Sequence, residues 1–263
     1  SKNKKKYNLF KDDFKINIKI DQTYLDKNNI IKNLKGYFIY NNNEIYESNL
    51  ESSFSNNKKI KFTINTDNGK KITTLYTDVA KPFVDRYRFV KGFEEGNLDF
   101  YSTKKNNISH STLKIDNFKV QEVPILAKLL TLASLQGIAD LLTGEGIRFT
   151  DFEMKFSNQN KLMKIEEMYA IGPAISILMD GYIERDELIS LRGTLVPATT
   201  INRTISSIPL LGKILVGKKV GEGVFGVSFK IKGPPKDLKT SVNPIKTLTP
   251  RFITRTLEKI KKD

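Results

Sequence analysis

The sequence predicts a mainly β protein, an antiparallel meander carrying a few short apolar helices. Three observations point there. Apolar and polar residues alternate with a period of two in one segment after another. Turn-forming residues separate those segments at short intervals. Helical spacing of apolar residues is confined to a few brief stretches.

In the first half, Phe14, Ile16, Ile18 and Ile20 alternate with Lys15, Asn17 and Lys19, the pattern of a strand with one dry face. The pattern returns at Tyr37–Tyr40, Ile60–Ile64 and Ile72–Tyr76, and Asp67-Asn68-Gly69 between the last two is a hairpin signal. Asp78–Phe89 reads as a short helix, Gly92–Gly96 as a glycine-flanked loop, and Asn97–Thr103 and Thr112–Val120 as strands. Pro124 then opens a helical pair. Ile125, Leu126, Leu129, Leu130, Leu132, Ala133 and Leu135 cover far more than one helix stripe, and a second helix, Ile138–Leu142, ends at Gly144.

Strands resume at Ile147–Phe156, Leu162–Ile171, Ala174–Glu184 and Leu188–Pro197. Phe152, Met154 and Phe156 share one face, as do Ile175, Ile177 and Met179, and Ile189, Leu191 and Leu195. In a closed sandwich these faces are core; in an open, curved sheet they line a trough. Periodicity is compatible with both. Beyond Pro197 the sequence suggests a helix within Thr200–Gly217, broken at Pro209, and a last strand Val224–Ile231 that stops at Gly233-Pro234-Pro235. Residues 245–263 form a basic amphipathic tail interrupted by Pro250, the composition of a membrane-surface segment or of a helix packed on its own domain.

The chain has 263 residues, one histidine and no cysteine, which excludes disulfides, thiolate metal sites and a cysteine nucleophile. His110 lies in a polar turn and reads as a surface residue. Forty-four Lys+Arg against 29 Asp+Glu give a net charge of +15. Lysine and asparagine crowd together, as at Asn41-Asn42-Asn43 and Asn56-Asn57-Lys58-Lys59, a pattern that AT-rich coding produces without function. Attraction to an anionic lipid surface is the next reading; nucleic acid ranks last, because lysine rather than arginine carries the charge. No signal-peptide apolar region follows the lysine-rich start, and the missing initiator methionine suggests a piece of something longer.

Motifs of catalysis are weak. Gly212 to Lys219 approaches a phosphate loop, but Lys219 stands where a magnesium-binding hydroxyl belongs. Glu166-Glu167 would face opposite sides of a strand, and Glu184 to Glu187 sits in a turn. The expectation is a non-enzymatic protein without metal or cofactor, since the stretch from Leu188 to Pro244 invests in apolar surface and not in reactive groups. Its four methionines, Met154, Met163, Met168 and Met179, suit an adaptable apolar surface.

Several segments resemble the C-terminal region of AsmA-like envelope proteins, the family that includes the YhdP and TamB branches. They are VPILAKLLTLASLQGIADLLTGEGI at 123–147, YAIGPAISILMDGYI at 169–183 and LRGTLVPA at 191–198, then IPLLGKILVG at 208–217, GEGVFGVSFKIKGP at 221–234 and SVNP at 241–244. The resemblance covers about half the chain. It implies an open, curved, taco-like antiparallel β-groove with short apolar capping helices. Its parts would be a β-rich groove segment at 1–122, an AsmA-like groove with helical caps at 123–244 and the basic tail at 245–263.

The implied function is phospholipid transport along the apolar groove between inner and outer membrane, supporting outer-membrane integrity. The implied location is the periplasm, with an inner-membrane anchor elsewhere in the full-length protein. Lipid-lining candidates are Phe152, Met154, Phe156, Ile175, Ile177, Met179, Ile189, Leu191, Leu195, Phe225, Val227 and Phe229. Candidates for capping or membrane contact are Leu126, Leu129, Leu130, Leu210, Leu211, Ile214 and Phe252. Expected partners are phospholipid, a membrane surface at the C-terminal end and other envelope proteins, with no nucleic acid. The competing reading is a structural scaffold of the envelope that pairs its sheet edge with another protein.

Overall fold

The computed structural model describes residues 12–86, 91–197 and 226–245. Within them lie strands β1 (Phe14–Tyr24), β2 (Ile30–Asn41), β3 (Glu44–Phe54), β4 (Lys59–Asp67), β5 (Lys70–Thr77), β6 (Lys91–Lys105) and β7 (Ile108–Gln121). There follow β8 (Ile147–Gln159), β9 (Leu162–Ile171), β10 (Ile175–Glu184), β11 (Leu188–Pro197), β12 (Gly226–Gly233) and β13 (Lys239–Ile245). Three helices accompany them: α1 (Lys81–Val84), α2 (Pro124–Leu132) and α3 (Gln136–Thr143). Each strand pairs with its successor, so the thirteen strands form one sheet in sequence order, open between β1 and β13. The β7–β8 ladder joins a strand that precedes residue 122 to one that follows it, so the groove segment and the capped segment share one sheet.

The connections divide by rim. The β2–β3, β4–β5, β6–β7 and β8–β9 turns have two residues each, and all of them contain asparagine at positive φ. Among the described residues, nine of the thirteen non-glycine positions with positive φ are asparagines, including Asn42, Asn43, Asn106, Asn107 and Asn160. Asparagine tolerates the left-handed conformation that tight hairpins impose, so its abundance has a local structural use here beyond codon composition. Asn68-Gly69 forms the expected hairpin, with φ of 48° and 71°. The opposite rim carries all three helices.

Local structure departs from expectation in several places. The helix expected over Asp78–Phe89 is, among the described residues, the single turn α1. The Ala80 amide donates to the Gly96 carbonyl at 2.9 Å, holding this segment against β6. The loop expected at Gly92–Gly96 is part of β6. Gly92 and Gly96 kink the strand at φ of 60° and 77°, turning the buried Phe93 onto Phe118, with ring centroids 5.3 Å apart. Strand β3 went unread because serines occupy alternate positions: Ser48, Leu50, Ser52 and Phe54 share its inner face. Strand β13 lies beyond the last strand that the sequence predicts, and its Pro244 is admissible because β13 is an edge strand. The expected pair α2 and α3 is present, with Gly144 as C-cap. The helix in 200–217, Val224 and the tail from 246 onward lie outside the described residues.

One apolar cluster joins the two helices to the sheet. Leu126, Leu129, Leu130, Ala139 and Leu142 are buried with Phe118, Phe149, Ile175, Leu195 and Val227. Helix α2 begins three residues after β7 and also packs against β13. Six strand spacings, about 29 Å, separate those strands along the sheet, whereas nine helical residues span about 13.5 Å. The last strands therefore curl towards the helix pair.

Leu130 is fully buried and Leu132 is 47% exposed. Leu130→Ala is expected to cost about 3 kcal/mol of unfolding free energy in a urea titration, and Leu132→Ala less than about 0.5 kcal/mol.

Candidate functional site: an apolar trough

In an antiparallel ladder, directly opposed residues lie on the same face. Following the pairings across the sheet traces one row through every strand. It starts at Ile18 of β1 and passes through Gly36, Leu50, Phe62, Leu75, Phe100 and Leu113. It continues through Met154, Met168, Met179, Gly193 and Phe229 to Val242 of β13. All thirteen positions are apolar. Twelve strand spacings give the row a contour of about 58 Å.

Only Phe229 in this row is buried; the other twelve positions are half-buried. A sandwich core of this composition would be sealed from solvent by a second layer. Here the row is a lining, open on the side away from its own sheet.

The lining candidates fall on this one face. Phe152, Ile177, Leu195 and Val227 form the neighbouring row towards the helices, with Ala170 between Phe152 and Ile177. Met154, Met179 and Phe229 belong to the continuous row. Phe156 and Leu191 lie in the next row towards the tight turns, Ile189 one row beyond, and Ile175 lies under the helices. All four methionines line this face. Phe225 lies outside the described residues, as do Leu210, Leu211, Ile214 and Phe252.

Leu126, Leu129 and Leu130 are turned into the core, so they cap the helix-side rows. On that helix pair it is Leu132 and Leu141 that face solvent. The sequence reading missed the first-half lining of Leu50, Phe62, Leu75 and Phe100. Alternation within β4 signalled its face, but in β5 the alternating Ile72 and Tyr76 lie on the opposite face from Leu75, and nothing local shows that the lining face continues into β8.

The outer face carries ion pairs, set among Ile39, Ile72, Tyr101, Leu178 and the buried Tyr169. Glu51 pairs with Lys61 at 3.0 Å and Asp180 with Arg192 at 2.9 Å, both across adjacent strands. Between the lining residues Phe152 and Met154, Glu153 points outwards. It accepts a hydrogen bond from the Tyr169 hydroxyl at 2.9 Å and lies 3.2 Å from the Lys155 ammonium and 3.6 Å from that of Lys114. Burial pushes its carboxyl up, but the Tyr169 bond and the two lysines outweigh that, leaving it below the ordinary glutamate range. His110 is exposed, 3.8 Å from Glu166. Among the described residues no three histidines, aspartates or glutamates gather as a metal site would require, and no helix is long and apolar enough to cross a membrane.

Because the Glu153 carboxyl is stabilised as the anion in the fold, its contribution is complete above the ordinary glutamate range. It is lost as pH falls through the lowered folded-state value. Glu153→Gln is expected to be less stable than the parent chain by about 1 kcal/mol at pH 7, with the gap closing on acidification in thermal melts.

Comparison with known proteins returns no matching family model, no matching curated protein and no matching solved structure.

Proposed function

We propose that the trough holds the acyl chains of phospholipid and lets them move along it, making this chain a non-enzymatic lipid carrier. The observation that carries this reading is the uninterrupted apolar row across all thirteen strands, half-buried at every position but the buried Phe229. Each methylene removed from water contributes about 0.8 kcal/mol. An acyl chain lying across several strands is therefore held firmly, while its headgroup stays in water. The lining offers similar contacts at each strand, so displacement by one spacing exchanges one set of apolar contacts for another.

The AsmA-like resemblance of residues 123–252 gives this activity a setting: phospholipid passage through the periplasm between inner and outer membrane, in support of outer-membrane integrity. Under that reading the anchor and the remaining groove belong to the full-length protein. The basic surface and the exposed Leu132 and Leu141 favour contact with an anionic membrane or another envelope protein at the ends of the groove.

The scaffold reading asks for a sealed core and an edge used for pairing. The half-exposed row favours the carrier.

Leu75→Asp and Met168→Asp place a charge at half-buried positions in the two halves of the row. Each is expected to abolish uptake of labelled phospholipid from vesicles without collapse of the thermal melt. Lys230→Glu, on the outer face between Phe229 and Ile231, is expected to load as the parent does. Equal loading by all three variants would overturn the carrier reading.

A further inference from the structure

We propose, resting on the carrier reading, that the trough selects anionic phospholipid. The phosphate would sit at the tight-turn rim of β5–β7 against Lys104, and the acyl chains would point towards β8–β12. The lining face of two adjacent strands changes character in the same order. From the apolar row outward, β5 presents Leu75, Thr73 and Lys71, and β6 presents Phe100, Ser102 and Lys104, each residue directly opposite its counterpart. In β7 the order is Leu113, Ser111 and Ser109. Successive residues on one face lie about 6.7 Å apart, so hydroxyls and then ammonium groups succeed the apolar floor within two such intervals. A phospholipid carries its apolar, ester and phosphate parts in that sequence.

The neighbouring strands lack this gradient. In the hydroxyl row β4 has Ile64, while β8 and β9 have Phe156 and Ile165. Further out, β9 and β10 keep Met163 and Ile183 at the rim. That side can take acyl chains in every row and offers no place for a phosphate.

The polar groups of β5–β7 are incompletely matched. Lys71 and Lys104 face each other directly, an arrangement of like charges that costs stability. Lys71 Nζ is held by Glu44 Oε2 at 2.5 Å, whereas Lys104 is exposed and has no ion pair among the described residues. The Ser102 and Ser111 hydroxyls lie 2.9 Å apart, so one proton joins them and the other is available to an incoming oxygen. An ammonium and a hydroxyl donor beside an apolar floor match a headgroup whose one charge is its phosphate diester more closely than a zwitterionic one, whose added cation Lys104 would repel.

The test incubates the chain with vesicles of mixed phosphatidylglycerol and phosphatidylcholine, separates it from them, and quantifies the extracted lipid by mass spectrometry. The parent chain is expected to carry phosphatidylglycerol in excess of the vesicle ratio. Lys104→Glu should reduce that enrichment about tenfold, the scale of one charge-assisted contact, while total lipid loaded is retained. Lys105→Glu makes the same charge change on the outer face and should keep the enrichment. Loading in the vesicle ratio, or equal loss in Lys104→Glu and Lys105→Glu, would overturn the headgroup site and leave the carrier reading standing. Enrichment abolished by excess inorganic phosphate at constant ionic strength would mean that the site reads a free anion, and would overturn it too. A parent chain that takes no lipid from any vesicle defeats the carrier reading itself.

Discussion

Everything described above depends on the register of a single antiparallel ladder. A slip of one residue in any strand would move its apolar set to the outer face, and thirteen strands in sequence order offer twelve chances for that slip. The apolar pattern itself changes phase several times, and the ladder compensates each time. In β2, Ile31 and Gly36 share a face although one is odd and the other even; Asn33, at φ of 55°, lies between them where the register shifts. In β9, Ile165 and Met168 both line the trough because an extra residue is accommodated where Phe156 meets Ile165. Such bulges also bend and twist the strand that carries them, so the irregularities that preserve the face contribute to its curvature.

In β7 and β8 the compensation is reciprocal. Ile115 opposes Phe152 and Phe118 opposes Phe149 without any net shift, while both strands change phase together around Asn117. The Phe118 ring meets Phe149 at 5.5 Å and Phe152 edge-on at 6.3 Å, so all three stay on the lining side. This happens where α2 and α3 cover the sheet. Several of the fully buried side chains, such as Leu130, Leu142, Ile147 and Ile175, belong to the cluster under the helices. Stability located there lets the central row remain open. A sheet that had to bury every lining residue to stay folded would have no trough to offer.

Much of this was legible from the sequence, for physical reasons. Alternation in β1, β4 and β8–β11 is strong because one face is apolar and the other largely polar. The hairpin at Asn68-Gly69 and the leucine-dense helix pair announce themselves by residue chemistry alone. Strand β3 failed to register because Ser48 and Ser52 fill inward positions that rely on neighbours for their context: Ser48 Oγ bonds to the Tyr37 carbonyl and Ser52 Oγ to that of Lys32. The Gly92–Gly96 segment looked like a loop because glycine signals a turn more often than a kink within a strand. Periodicity assigned Phe152, Met154 and Phe156 a common face, but whether a second layer covers that face is a property of the whole chain. Half-exposure of the row supplied that information, and no window of sequence contains it.

Evenness of the lining matters as much as its polarity. A missing side chain in the continuous row would leave a hollow in which a methyl terminus could lodge, and an oversized one a barrier. The row contains two glycines, Gly36 between Ile18 and Leu50 and Gly193 between Met179 and Phe229, and the second shows how a gap is filled. A β-carbon there would lie 2.5 Å from the Phe229 ring, far inside van der Waals contact, so the ring already occupies the space that a side chain on Gly193 would fill. Glycine and phenylalanine thus form one level patch from two unequal residues. On the other side of it, Met154, Met168 and Met179 are cross-strand neighbours with flexible, unbranched side chains that can adjust to a passing chain. A surface that is apolar, level and compliant over adjacent strands binds an acyl chain without fixing it at one point, and that combination distinguishes a conduit from a binding pocket.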